Sequence, residues 1–146
     1  MKENNENDVI WSFFNELLLS NSNDFDIQSK IYLSMAIFLF DEGKDFFPLL
    51  KESYRAELLS LELKSIESPT IWVVTIGNSL NENSLPCSKC KELNGIQMSI
   101  KEALEKMPIP IKDCSRPVGF NRCTSSYGVK FLRDEDGMII FKDEKN

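Results

Sequence analysis

Ile71-Trp72-Val73-Val74-Thr75-Ile76, closed by Gly77-Asn78-Ser79, is an apolar, β-branched run of strand length with a turn signal behind it. It stands between two regions of different character. Upstream, apolar residues recur every three or four positions, the period of a helix packed on one face. Downstream come all four cysteines, five of the six glycines and four of the six prolines, residues that punctuate short elements. A strand entered from a helical region and followed by short, turn-rich elements makes the fold class α+β.

Working back from the strand, Ile10, Phe13, Phe14, Leu17 and Leu18 mark a first helix, and Asn21-Ser22-Asn23 breaks it. Ile27, Ile31, Met35 and Phe38 mark a second, entered through Asp24 or Asp26 and closed by Gly43 as a left-handed cap. Pro48 suits the first turn of a third, whose Leu50, Tyr54, Leu58 and Leu61 continue until Ser68-Pro69 stops it. Three such helices make a small bundle. Its aromatic residues (Trp11, Phe13, Phe14, Phe25, Tyr32, Phe38, Phe40, Phe46 and Phe47) read as core.

Working forward, Asn94-Gly95 predicts a turn and Ile96-Gln97-Met98 a returning hairpin strand. Ser99-Ile100-Lys101-Glu102 is a capping box for a short helix that runs to about Met107 and ends at Pro108 and Pro110. Val129-Lys130-Phe131-Leu132 and Met138-Ile139-Ile140-Phe141 predict a terminal hairpin across Asp134-Glu135-Asp136-Gly137. Asp134-x-Asp136-Gly137 looks like a fragment of a calcium loop, but the later ligand positions are missing, and a hairpin turn accounts for it.

The 146 residues carry 17 Lys and Arg against 23 Asp and Glu, a net charge of -6. That sign opposes generic attraction to a phosphate backbone and disfavours nucleic acid as a partner. Residues 1–70 hold 6 of the basic and 13 of the acidic side chains, leaving 11 and 10 to the rest. Charge and cysteine content thus divide the chain into an acidic helical bundle, 1–68, and a cysteine-rich α+β module, 69–146. There is no histidine, which excludes Ser-His-Asp and Cys-His catalysis and helix-borne zinc-protease motifs. No Gly-rich phosphate loop or nucleophile elbow occurs either, so the expectation is a non-enzyme. The polar, acidic start is unlike a secretory signal, and the longest apolar run, residues 31–40, is too short to cross a bilayer. A cytoplasmic chain with no membrane partner is the expectation.

In a reducing compartment, clustered cysteines point to metal or redox chemistry rather than to persistent disulfides. Cys87-Ser88-Lys89-Cys90 is a Cys-x2-Cys pair, and Cys114 and Cys123 follow within 37 positions of Cys87. Two sulfurs on one side of a tight loop can take adjacent corners of a tetrahedron, and a second pair completes it, which is the arrangement zinc prefers. Lys89, Lys91, Lys112, Arg116 and Arg122 surround these positions and suit the formal charge of about -2 on a four-thiolate zinc centre. Separate buried or free thiols are the plainer alternative. A redox pair would be expected at the start of a helix after a strand, where the sequence predicts a hairpin turn instead.

The stretch from Val73 through Cys87-Ser88-Lys89-Cys90, Leu93-x-Gly95, Ile100-x2-Ala103 and the prolines before Cys114 resembles the cysteine box of phage head-morphogenesis, or minor head, proteins. The resemblance implies zinc at Cys87, Cys90, Cys114 and Cys123. The closing pair here is separated by eight residues, against about one in the box. Together these readings predict an N-terminal three-helix bundle packed on a small C-terminal zinc module with short strands, one short helix and a terminal β-hairpin. The expected function is non-enzymatic binding of a protein partner whose identity and stoichiometry the sequence leaves open. Two alternatives stand beside it. One is a zinc-stabilised nucleic-acid binder using Lys112, Arg116, Arg122 and Lys130. The other is a thiol oxidoreductase using Cys87 and Cys90.

Overall fold

The computed structural model describes residues 2–78, 88–111 and 125–142. In chain order these form α1 (Lys2–Ser20), α2 (Phe25–Asp41), α3 (Phe47–Glu67), β1 (Trp72–Asn78), α4 (Ser88–Leu93), β2 (Gln97–Met98), α5 (Ile100–Lys106) and β3 (Ser125–Phe131). The strands make one antiparallel sheet in the order β2-β1-β3, so the chain is α+β. Contacts divide it into two compact units, Met1–Glu57 and Leu58–Asn146, and the division falls within α3, upstream of Ser68-Pro69. Counted by these units, the N-terminal one carries 5 basic and 11 acidic side chains and the C-terminal one 12 of each. The whole net charge of -6 therefore belongs to the N-terminal unit.

Local chemistry explains the helix ends of the N-terminal unit. Asp24, not Asp26, is the N-cap of α2, accepting from the Ile27 amide at 3.1 Å, while Asp26 sits in the first turn. At the far end Gly43 takes φ 72°, a region costly for residues with a Cβ, and lets the Lys44 amide reach Leu39 O at 2.9 Å and its own amide reach Phe40 O at 3.0 Å. This paired C-terminal motif satisfies carbonyls that the helix leaves open. Pro48 is the second residue of α3, where its missing N–H costs no helical bond.

The first two helices meet through aromatic edges. Trp11 lies 5.9 Å from Phe14 and 5.9 Å from Phe38, with Phe14 and Phe38 6.3 Å apart, all three pairs steeply tilted. Phe13, expected in the core, is instead 58% exposed. One position along a helix rotates a side chain by about 100°, so Phe13 cannot share the Phe14 face and lines up with Val9, itself 68% exposed. A polar clasp joins α2 to the start of α3. Ser29 Oγ donates to Ser53 O at 2.9 Å and Ser53 Oγ donates to Ser29 O at 2.8 Å. Each hydroxyl has one proton and each gives it to a carbonyl, so the 3.2 Å separation of the two Oγ atoms is a close approach and not a third bond.

In the C-terminal unit β1 is the middle strand. It pairs with β3 at seven positions from Trp72↔Phe131 to Asn78↔Ser125, and with β2 at Val74↔Met98 and Thr75↔Gln97. Val74, Ile76 and Tyr127 share one face by this register and are buried, as are Ile100 and Ala103 of α5 and Ile109 beyond it. Ser99 caps α5 by accepting from the Glu102 amide at 3.0 Å, and Glu102 accepts from Lys106 one turn on at 2.8 Å. Met107 ends the helix in the left-handed region, and the Ile109-Pro110 peptide is cis.

The terminal hairpin differs from its expected form. Residues 129–131 belong to β3 and pair with β1, and the return segment makes only single bridges, Arg133↔Ile139 and Thr70↔Phe141. The return segment instead meets the chain at the entrance to β1, where Ile71 N donates to Ile140 O and Ile140 N donates to Leu132 O. The turn itself is as expected. Asp134 Oδ1 accepts from the Asp136 and Met138 amides at 2.9 and 3.0 Å, which engages the carboxylate that a calcium loop would need. The end of the chain then returns to α3, where Lys142 Nζ donates to the Ser65 and Ile66 carbonyls and places a cation at the negative end of the helix dipole.

Two measurements check this account of the N-terminal unit. Ser53→Ala removes one arm of the clasp and is expected to cost about 1 kcal/mol in chemical denaturation. A cycle with Ser29→Ala should show coupling, because the two bonds share both residues. Glu57, largely buried and facing the charge of Asp26, has a carboxyl held above the ordinary glutamate range, burial being the larger cause. The folded chain therefore binds this proton more tightly than the unfolded chain, and stability is lost as pH rises above the unfolded value. Glu57→Gln is expected to raise the melting temperature at about pH 7 and to bring little or no gain at about pH 4.

Candidate metal centre

The candidate ligands belong to the two connections that flank the sheet. After Asn78 the chain runs to α4, which begins at Ser88, one position after Cys87, and contains Cys90. The hairpin turn expected after Cys90, at Asn94-Gly95, is present, and a six-residue helix that was not expected lies ahead of it. This helix is short, mostly polar and free of β-branched residues, and its C-terminal end is tied to the sheet. Asn94 and Gly95 close it, with Gly95 at φ 84°, and the chain joins the sheet by Gly95 N to Ile76 O at 2.7 Å and Ile76 N to Ile96 O at 3.0 Å. The returning strand β2 follows antiparallel to β1, as the hairpin reading required.

The second connection leaves α5 through Ile109, Pro110 and Ile111 and re-enters the sheet at Ser125, two positions after Cys123. Ser125 is the register partner of Asn78. The segment that departs toward Cys87 and the segment that arrives from Cys123 therefore join the sheet side by side, at one end of β1. Cys87, Cys114 and Cys123 lie outside the described residues, and for Cys90 only the backbone is described. Among the described residues no group of three or more Cys, Asp or Glu side chains is arranged to hold a metal ion.

The other positions that carry the resemblance to the cysteine box have a role in the fold. Gly95 supplies the positive φ of the turn, Val73, Ile100 and Ala103 are buried, and Leu93 closes α4. They account for how the chain returns to the sheet and add no donor to a metal. The donor set itself is chemically uniform: with no histidine in the chain, the four cysteines are the only nitrogen- or sulfur-based side chains of the kind zinc selects.

Of the cations proposed for a phosphate-binding face, Lys130 is exposed on β3, while Lys112, Arg116 and Arg122 lie outside the described residues. An open concavity of about 580 Å³ is lined by Gln97, Val129, Lys130, Phe131, Leu132 and Arg133. It sits toward the Trp72 end of β1, opposite Asn78 and Ser125, and among the described residues no thiol or carboxylate lines it. Among the described residues no helix is long and apolar enough to cross a membrane. The pair that sequence reasoning missed is Val9 and Phe13, exposed together on α1; their spacing of four, offset by one from the Ile10, Phe14 and Leu17 stripe, was the available signal. No protein-family model matches the chain, and neither curated proteins nor solved structures are significantly similar to it.

Proposed function

We propose that the chain is a small, non-enzymatic zinc protein that works as a protein-interaction module, with Cys87, Cys90, Cys114 and Cys123 holding one structural zinc. The observation that carries the reading is that Asn78, where one cysteine-bearing connection leaves the sheet, and Ser125, where the other re-enters it, are register partners at one end of the central strand. Four thiolates suit zinc without help from any other residue type. The metal would contribute on the order of 10 kcal/mol to the fold of long connections that short elements alone cover poorly. It would supply cross-linking and no reaction step. A reducing compartment such as the cytoplasm is where such a thiolate site belongs.

One observation favours a second reading. Cys90 lies in a helix that follows a strand, with Cys87 just ahead of it in sequence, and this is the setting of a redox Cys-x2-Cys pair. The expected turn at Asn94-Gly95 is present, but Cys90 itself lies on the helix ahead of it. The two readings differ in what the thiols do when metal is offered.

Elemental analysis of the reduced chain after zinc reconstitution is expected to give one zinc per chain; a value below about 0.2 would end the proposal, given the affinity of four thiolates. The redox reading is settled by thiol reactivity. The metal-loaded chain should react slowly with a disulfide reagent, and a chelator should release four thiols of ordinary acidity. Two fast thiols with a depressed pKa in the presence of zinc, cycling with a dithiol reductant, would instead establish the oxidoreductase.

A further inference from the structure

Helix α1 carries apolar residues on two faces, and among the described residues the rings of α2 meet one of them. Trp11 and Phe14 meet Phe38 of α2, whereas Val9 and Phe13 stand 68% and 58% exposed on the other side. Glu6, Val9, Phe13 and Glu16 follow one another by three, four and three residues, so they form a single stripe along the helix, and all four are exposed. The ten steps from Glu6 to Glu16 rise about 15 Å, with the apolar pair between the two carboxylates.

We propose that this stripe docks a basic amphipathic helix of a partner protein. Such a helix would set aliphatic side chains spaced by three or four against Val9 and Phe13, and Lys or Arg side chains about ten residues apart against Glu6 and Glu16. Charge selects this occupant over others. The stripe belongs to the unit that carries the entire net charge of -6, which attracts a cationic segment from a distance and repels a second copy of itself. Anionic lipid is disfavoured for the same reason. The inference rests on the protein-interaction reading above but not on its metal, because no cysteine occurs in residues 1–57.

The test uses the full chain and a synthetic 18-residue amphipathic helix of Leu and Lys, with a Leu and Glu peptide of the same pattern as control. Calorimetry with amide chemical shifts is expected to give micromolar binding of the Leu/Lys peptide, with changes centred on α1 and none from the control. Phe13→Ala should weaken binding about tenfold, as expected for a central apolar anchor. Glu6→Gln combined with Glu16→Gln should weaken it several-fold and flatten its salt dependence. Both changes are on the exposed face, and an unchanged melting curve keeps the comparison valid. Chelator-treated chain should bind equally well, which separates this outcome from the fate of the zinc site. Unchanged affinity in Phe13→Ala, shifts centred on Asp41, Glu42 and Asp45 instead of α1, or self-association of the free chain through Val9 and Phe13 would each overturn the proposal.

Discussion

The C-terminal unit depends on β1 being hydrogen-bonded along both edges. Seven register pairs to β3 and two to β2 fix every later element relative to one apolar strand. α4 and α5 return to it through Gly95 and through the buried pair Ile100 and Ala103. A one-residue slip of β3 against β1 would move Tyr127 off the face it shares with Val74 and Ile76 and bring Ser126 or Gly128 in its place. The same slip would separate Ser125 from Asn78, and with it the two chain segments that lead to the cysteines. Burial of one face and the juxtaposition of the connections are thus consequences of a single register.

What was legible in the sequence was what local chemistry determines. Asp24, Gly43, Pro48, Ser99 and Gly95 each act within four or five residues of themselves, and each marks an element end where it was expected. The strand at residues 71–76 was legible because its residues are apolar or β-branched at every position. Three features were not. α4 is six mostly polar residues with no periodic stripe, and its existence depends on the geometry of the return to Ile76. β3 begins at Ser125 because β1 extends through Gly77 and Asn78, residues that otherwise read as a turn. Phe13 looked like core because aromatic residues usually are, and only the rotation between neighbouring helical positions separates it from Phe14. Of the candidate metal centre, the residue types and spacings were legible, and the sheet end they attach to was not, since it follows from long-range register.

The partition of charge is sharper in the folded units than along the sequence. Dividing at residue 70 leaves both halves charged, whereas dividing where packing divides the chain leaves one unit at -6 and the other neutral. The boundary residues Glu57 and Leu58 are adjacent on one continuous helix. An acidic surface for cationic partners and a neutral, cysteine-bearing module can then vary independently in composition while α3 continues through both.

The clasp between Ser29 and Ser53 has a consequence for how the chain evolves. Both residues are small, and both hydroxyl protons are held by the opposite backbone, so the separation of α2 and α3 at this crossing is set by two atoms per side chain. A larger residue at either position forces the helices apart, and a residue without a donor leaves its partner's acceptor half satisfied. Positions 29 and 53 are therefore one inherited character: descendants that keep this crossing should carry either both serines or a compensated exchange at both, and single replacements should be rare relative to paired ones.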